Sequence, residues 1–203
     1  MTIARNPATT QKTPRVMTLE EYLNYDDGTD TRYELNNGIL VDMGAESDLN
    51  VMIAGFLVSV LLKVLPHYCI RRGTEVEVFG PAANTRYPDL MVLSEAGVAA
   101  LARQKRSLVQ LSMPAPRLVV EVVSSSDTDK TSRDRDYVEK RQEYAQRGIA
   151  EYWIIDPMAA VVLVLTLVDG AYEEQTFVGD AQLVSAAFPE LELTAEQLLA
   201  AGL

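Results

Sequence analysis

The stretch PRLVVEVVSSS, residues 116–126, limits the fold of this chain more than any other. Its run of branched apolar residues between a proline and a serine cluster has the length and composition of a strand. Glu121 nevertheless stands in the middle, with Val119 and Val120 before it and Val122 and Val123 after it. A buried carboxylate without a partner costs several kcal/mol, so something must meet it.

A second run, RYPDLMVLS at residues 86–94, carries one acid as well, Asp89. If the two strands are neighbours, their carboxylates repel unless a divalent cation sits between them. Oxygen-only ligation of that kind suits Mg2+ or Mn2+. The other reading is that Asp89 caps a turn after Pro88 while Glu121 pairs with an Arg or Lys from a helix. The two runs alone leave both open.

Composition removes several classes. One cysteine, Cys69, and one histidine, His67, cannot form an internal disulfide or a zinc site of the usual Cys/His type, which suits a cytoplasmic protein. The longest apolar segment, VMIAGFLVSVLLKVL, falls short of the ~20 residues of a bilayer span and contains Lys63, so no membrane is expected. The 203 residues fit one domain over 17–203, after a mildly basic tail of residues 1–16. The net charge of −11 excludes a protein that coats nucleic acid by charge alone. From Arg71 to Arg147, however, 13 Lys/Arg face 11 Asp/Glu, while the remainder has 5 against 18. A polyanion surface must therefore lie in the middle of the chain.

The remaining elements follow in order. Thr18 and Glu21 have capping-box spacing for a short helix, and Asn36-Asn37-Gly38 marks a hairpin with Glu34 on its first arm. Residues 48–65 predict a helix buried on more than one side, ended by Pro66. YCIRRGTEVEVFG reads as one or two strands, residues 95–116 as a partly helical loop, and 133–147 as a helix closed by Gly148. EYWIIDP, VVLVLTLVDG and AYEEQTFVG are three strands separated by turns, and a short helix lies near TAEQLLAAG. The fold class is α/β or α+β, a mixed sheet flanked by helices. The Glu121 strand and the Trp153 strand, joined through a helix, should run parallel.

In DRDYVEKRQEYAQRG, Asp136, Lys140 and Tyr144 recur every fourth residue along one helix face. Packed near the acids, that face would bring the Lys140 ammonium to them; an exposed Asp-Lys pair is the plainer account of the same spacing.

Taken together, YELNNGILV, the Pro-Asp strand, LVVEVVSSS, D-x3-K-x3-Y and GIAEYWIIDP resemble the Uma-type family of bacterial proteins, assigned to the PD-(D/E)xK restriction-endonuclease-like superfamily. The resemblance covers roughly residues 17–195. It implies a restriction-endonuclease-like mixed sheet and a DNA-cutting site in which Asp89 and Glu121 hold Mg2+ or Mn2+. It makes Glu34 a third ligand or a water-orienting group. The superfamily's lysine two residues after the second acid is here Val123, so Lys140 is the natural substitute. Asn50 stands where family members often carry a histidine; it could hydrogen-bond a phosphate but cannot act as a base.

On this reading the Val122 carbonyl could complete the metal site. Asp136 and Tyr144 would line it, and Arg133, Arg135, Arg71, Arg72 and the cluster Arg103, Lys105, Arg106 would meet backbone phosphates. Two further readings keep the fold: a nucleic-acid- or protein-binding module without catalysis, and an interaction protein using VVLVLTLV as an oligomer edge. A homodimer is expected on the nuclease reading, since two sites would serve the two strands of a duplex.

Overall fold

The structure is a computed structural model that describes residues 15–123 and 135–201. Most of the N-terminal tail, the serine-rich loop after Val123 and Arg133 lie outside the described residues. The chain opens with helix α1 (Leu19–Leu23), entered through the expected capping box between Thr18 and Glu21. The hairpin of β1 (Tyr33–Asn36) and β2 (Ile39–Asp42) follows. Asn37 and Gly38 both take positive φ, +50° and +80°, the turn that matches the twist of two paired strands. A Cβ on Gly38 would come within 2.5 Å of Val16 and 3.1 Å of the Met17 carbonyl, so the turn also needs glycine for close approach.

Helix α2 (Asp48–Leu61) is capped by Ser47, whose hydroxyl accepts from the Asn50 N–H. Next come β3 (Ile70–Arg71), β4 (Glu75–Glu77), β5 (Thr85–Arg86) and β6 (Leu90–Val92). They are followed by α3 (Glu95–Leu101), β7 (Leu108–Val109) and β8 (Leu118–Val122). A π-helical turn at Arg135–Glu139 leads into α4 (Lys140–Arg147), which ends at Gly148 in the left-handed conformation. Strands β9 (Glu151–Asp156), β10 (Val161–Val168) and β11 (Ala171–Phe177) and helix α5 (Ala195–Leu199) close the chain.

Six strands form the main sheet in the order β11-β10-β9-β8-β6-β3. Only β8 and β9 are parallel in it, as expected of strands joined through a helix; every other neighbour is antiparallel. Leu118, Val120 and Val122 of β8 join Leu90, Val92, Trp153 and Ile155 on one face, against Ile53 and Leu57 of α2 and Leu198 of α5. Val119 and Val123 join Met91, Ile154 and Leu163 on the other, against Tyr144 of α4. Each such side chain contributes ~1.5–3 kcal/mol on burial, which is why β8 is apolar throughout.

Three details differ from the sequence reading. RYPDLMVLS is not one strand: β5 belongs to a separate three-stranded sheet with β4 and β7, and the chain breaks at Tyr87-Pro88 before entering the main sheet at β6. The start of the 133–147 helix, where it is described, is a π turn, because an i, i+4 pattern does not separate π from α geometry. VVLVLTLV is not an edge: β10 is covered by β9 on one side and β11 on the other, and the exposed edge of β11 carries Glu173 and Glu174.

Candidate active site

The register of β6 against β8 pairs Leu90 with Val120, so the next position places Asp89 opposite Glu121. Period-two alternation turns Glu121 to the face of Val119 and Val123, toward α4. The site therefore lies at the carboxyl end of β8, where its two neighbours run in opposite senses, β9 parallel and β6 antiparallel.

Each acid is held. Asp89 Oδ2 accepts from the Val122 N–H at 2.6 Å, and among the described residues no hydrogen bond reaches its other oxygen. Glu121 Oε1 accepts from the Tyr144 hydroxyl at 2.7 Å, and Oε2 lies 3.0 Å from Lys140 Nζ. Lys140 Nζ is also 2.8 Å from Asp136 Oδ1. Asp136, Lys140 and Tyr144 thus do form one face, and that face is buried against Glu121 rather than exposed.

Burial sets the electrostatics. It pushes the Asp89 carboxyl up to about 6, opposed by the Val122 N–H and by Lys140. It pushes Glu121 up as well, with the Lys140 charge pulling down and Asp136 adding to the rise. The Tyr144 phenol is driven well above its ordinary range by the same burial and by the Glu121 charge, so it remains a donor.

A cleft with about 150 Å³ of room opens on this group, lined by Asp89, Glu121, Val122, Asp136, Lys140 and Asn50. Asn50 Nδ2 donates to the Val122 carbonyl at 2.9 Å, and its Oδ1 accepts from Ser47 at 2.8 Å. Its amide is thereby spent on orienting the end of β8. Glu34 does not line the cleft: its Oε1 accepts from the Tyr87 N–H at 2.8 Å, and its Oε2 lies 3.3 Å from Arg86. Among the proposed phosphate partners, Arg72 stands at the mouth with its Nε on the Asp89 carbonyl at 3.2 Å. Arg71 ends β3, Arg103 and Lys105 are exposed beyond α3, and Arg106 is committed to Glu75 at 2.8 Å and to the face of Tyr22. Arg135 opens the π turn.

Sequence reasoning overlooked Arg86. It is buried, donates to both oxygens of Glu143 at 2.7 Å, and so fastens α4 to β5 one turn from Lys140 and three residues from Asp89. The only signal was the acid pair Glu139 and Glu143 on the lysine's helix. Glu46, Ser47, Tyr87 and Arg32, which also line the cleft, carried no pattern by which to find them.

A mixed sheet with helices on both faces is the restriction-endonuclease-like class of fold expected from the sequence. A solved structure described as a putative nuclease belonging to DUF820 from Anabaena variabilis shares it, with a TM-score of 0.69 and 22% identity over 92% of this chain and 99% of that one. The family described as "Uma2: Putative restriction endonuclease" matches residues 19–196, and the chain belongs to that family. Among curated proteins none matches.

Proposed function

We propose that the protein is a metal-dependent endonuclease hydrolysing DNA phosphodiester bonds through a PD-(D/E)xK-type site. The observation that carries this reading is the Lys140 ammonium 3.0 Å from Glu121, beside an Asp89 fixed to the next residue's N–H. The lysine missing after the second acid is replaced from α4.

Among the described residues no three His, Cys, Asp or Glu side chains are gathered to hold a metal ion together, so a divalent cation would rest on the Asp89 and Glu121 pair. Asp89, Glu121 and Asp136 set three carboxylates against the one ammonium of Lys140, a formal excess of two negative charges in a buried site. The donors are all oxygen, and the Val122 carbonyl, steadied by Asn50, stands beside them. Bound there, Mg2+ or Mn2+ would acidify a water and polarise a phosphoryl oxygen. The chain's own residues do the rest. Tyr144 holds Glu121 in place, Asp136 keeps Lys140 aimed, and Lys140 steadies the attacking water or the charge developing on phosphate. Asn50 acts through Val122 rather than on the phosphate. Glu34 acts as a positioning residue, tying β1 to Arg86 and to the backbone just before Asp89.

The working form would be a homodimer, with the exposed Leu49, Met52 and Leu62 along α2 as the surface it covers, in a cytoplasm that keeps Cys69 reduced. Among the described residues no helix is long and apolar enough to cross a membrane.

The test is a cleavage assay on single- and double-stranded DNA at low salt with Mg2+ or Mn2+. Cutting that disappears in Glu121→Ala supports the reading, and equal cutting in that variant overturns it. The alternative is a binding module of the same fold. It draws on one observation, that both faces of Lys140 are already engaged by Glu121 and Asp136. Metal-independent DNA binding without cleavage would favour it.

A further inference from the structure

Outside the acid pair, one feature at the cleft mouth has no role in stability that its geometry explains. Arg32, just before β1, and Arg72, just after β3, come from separate parts of the chain and converge on one carboxylate, Glu46, at 3.3 and 2.8 Å. All three stay open to water, with side chains 43%, 31% and 22% exposed. Exposed pairs of this kind contribute only about 0–1 kcal/mol each. The buried Glu151, by contrast, takes the Trp153 and Ser185 side chains and two backbone N–H groups.

The two guanidinium groups are nevertheless aimed. Arg32 lies over the Tyr87 ring at 5.6 Å, and Arg72 is pinned through Nε to the carbonyl of Asp89. Arg32, Glu46, Tyr87 and Asp89 line both the acid cleft and a groove that continues from it past Arg72 and Pro88. Two planar forks fixed by their surroundings, facing one anion beside an acid pair, offer the geometry that arginines give to phosphate oxygens. Glu46 itself sits on the irregular segment between β2 and α2, two residues after Gly44 at φ +64°.

We propose that Arg32 and Arg72 form a subsite for a backbone phosphate next to the one at the acid pair, and that Glu46 is a built-in anion occupying it until nucleic acid takes its place. This deepens the nuclease reading and rests on it for the identity of the ligand. The exchange of one anion for another makes no net loss of ion pairs, so an acidic protein can keep its site closed to small anions and open it to a polyanion.

The experiment measures equilibrium binding of a fluorescent single- or double-stranded oligonucleotide in EDTA, where nothing is cut, as a function of salt. Thermal melting of each variant shows that it is folded. Glu46→Gln should bind about three- to tenfold more tightly than the parent. Arg32→Gln and Arg72→Gln should each bind more weakly and lower the salt slope by about one. The double variant Glu46→Gln/Arg72→Gln should lose most of the gain. Asp48→Asn removes the same charge from the exposed start of α2 without touching the arginines, and should change affinity less.

A gain in Asp48→Asn equal to that in Glu46→Gln means bulk electrostatics and overturns the subsite, as does unchanged or weaker binding by Glu46→Gln. If the parent binds and cuts DNA while Glu46→Gln is unaltered, the subsite falls and the nuclease reading stands. If Glu46→Gln binds DNA and no form cuts it, the subsite stands without the nuclease. If no variant binds at low salt, the subsite falls, and the nuclease reading is decided by the cleavage assay in Mg2+ or Mn2+.

Discussion

Lys140 decides how the candidate site is read. Its ammonium lies between Glu121 and Asp136, and removing it takes a buried cation from both acids. Lys140→Met should reduce cleavage by at least about 100-fold, a loss of ~3 kcal/mol in transition-state stabilisation, while Mn2+ binding persists because the lysine is not a ligand. Calorimetric titration beside the cleavage assay separates the two effects. The ligands should behave in the opposite way: Asp89→Asn and Glu121→Gln should each abolish Mn2+ binding, and undiminished binding in either would refute a shared site. Asp89 also gives a pH signature. Its folded carboxyl is raised from the ordinary 3.8 to about 6, chiefly by burial, so the folded state holds the proton more tightly than the unfolded chain. The sign follows directly: this stabilisation is full below about pH 3.8 and is lost as pH rises toward about 6. In metal-free protein the urea midpoint should fall across that window less steeply in Asp89→Asn than in the parent. Equal slopes would mean that Asp89 is not desolvated.

The same site depends at the next scale on how α4 is fixed. Its π turn and first helical turn carry Asp136 and Lys140, its second carries Glu143 and Tyr144, and Gly148 ends it at φ +78°. Arg86 grips Glu143 through Nε and Nη2 and reaches Glu34 of β1 through Nη1, so β1, β5 and α4 meet in one buried ionic cluster. Arg86→Met should destabilise the fold by about 3–5 kcal/mol because it strands buried acids, and should lower cleavage through a displaced Lys140. A denaturant midpoint unchanged within error would refute the clamp. This cluster is what sequence could not reveal. The hairpin was legible because Asn37-Gly38 is a local signal, and the parallel β8-β9 pair because chain connectivity demands it. The acids were legible because a charge inside an apolar strand stands out against its neighbours. Arg86 and Glu34 do not stand out, since each looks like an ordinary polar residue on a half-exposed strand until three distant segments bury it. The break at Pro88 was hidden for a related reason: the stretch reads as one short strand-like run although its two halves serve different sheets.

Over the whole molecule, charge sets the terms on which a polyanion can approach. The chain carries −11, and fewer of the mid-chain cations are open to water than the sequence count gives. Arg86 and Lys140 are inside, and Arg106 is held by Glu75. Arg117 donates to the Ala187 carbonyl over the Phe188 ring, Arg141 pairs with Glu174, and Arg147 donates to the carbonyls of Gln110 and Met113. Among the described residues of that stretch, Arg71, Arg72, Arg103 and Lys105 are left nearest to water. If about three such cations meet phosphates, the slope of log affinity against log salt is about −2.7, and raising salt from about 50 to about 200 mM lowers affinity roughly 40-fold. Repulsion from the acidic remainder adds to that loss and does not alter its direction. DNA cleavage at subsaturating protein should therefore be weak, little dependent on sequence, and suppressed by salt to about that degree. A cleavage rate that stays level over the same range, with Glu121→Ala inactive, would mean that contacts other than charge hold the substrate, and the electrostatic account of binding would have to be abandoned.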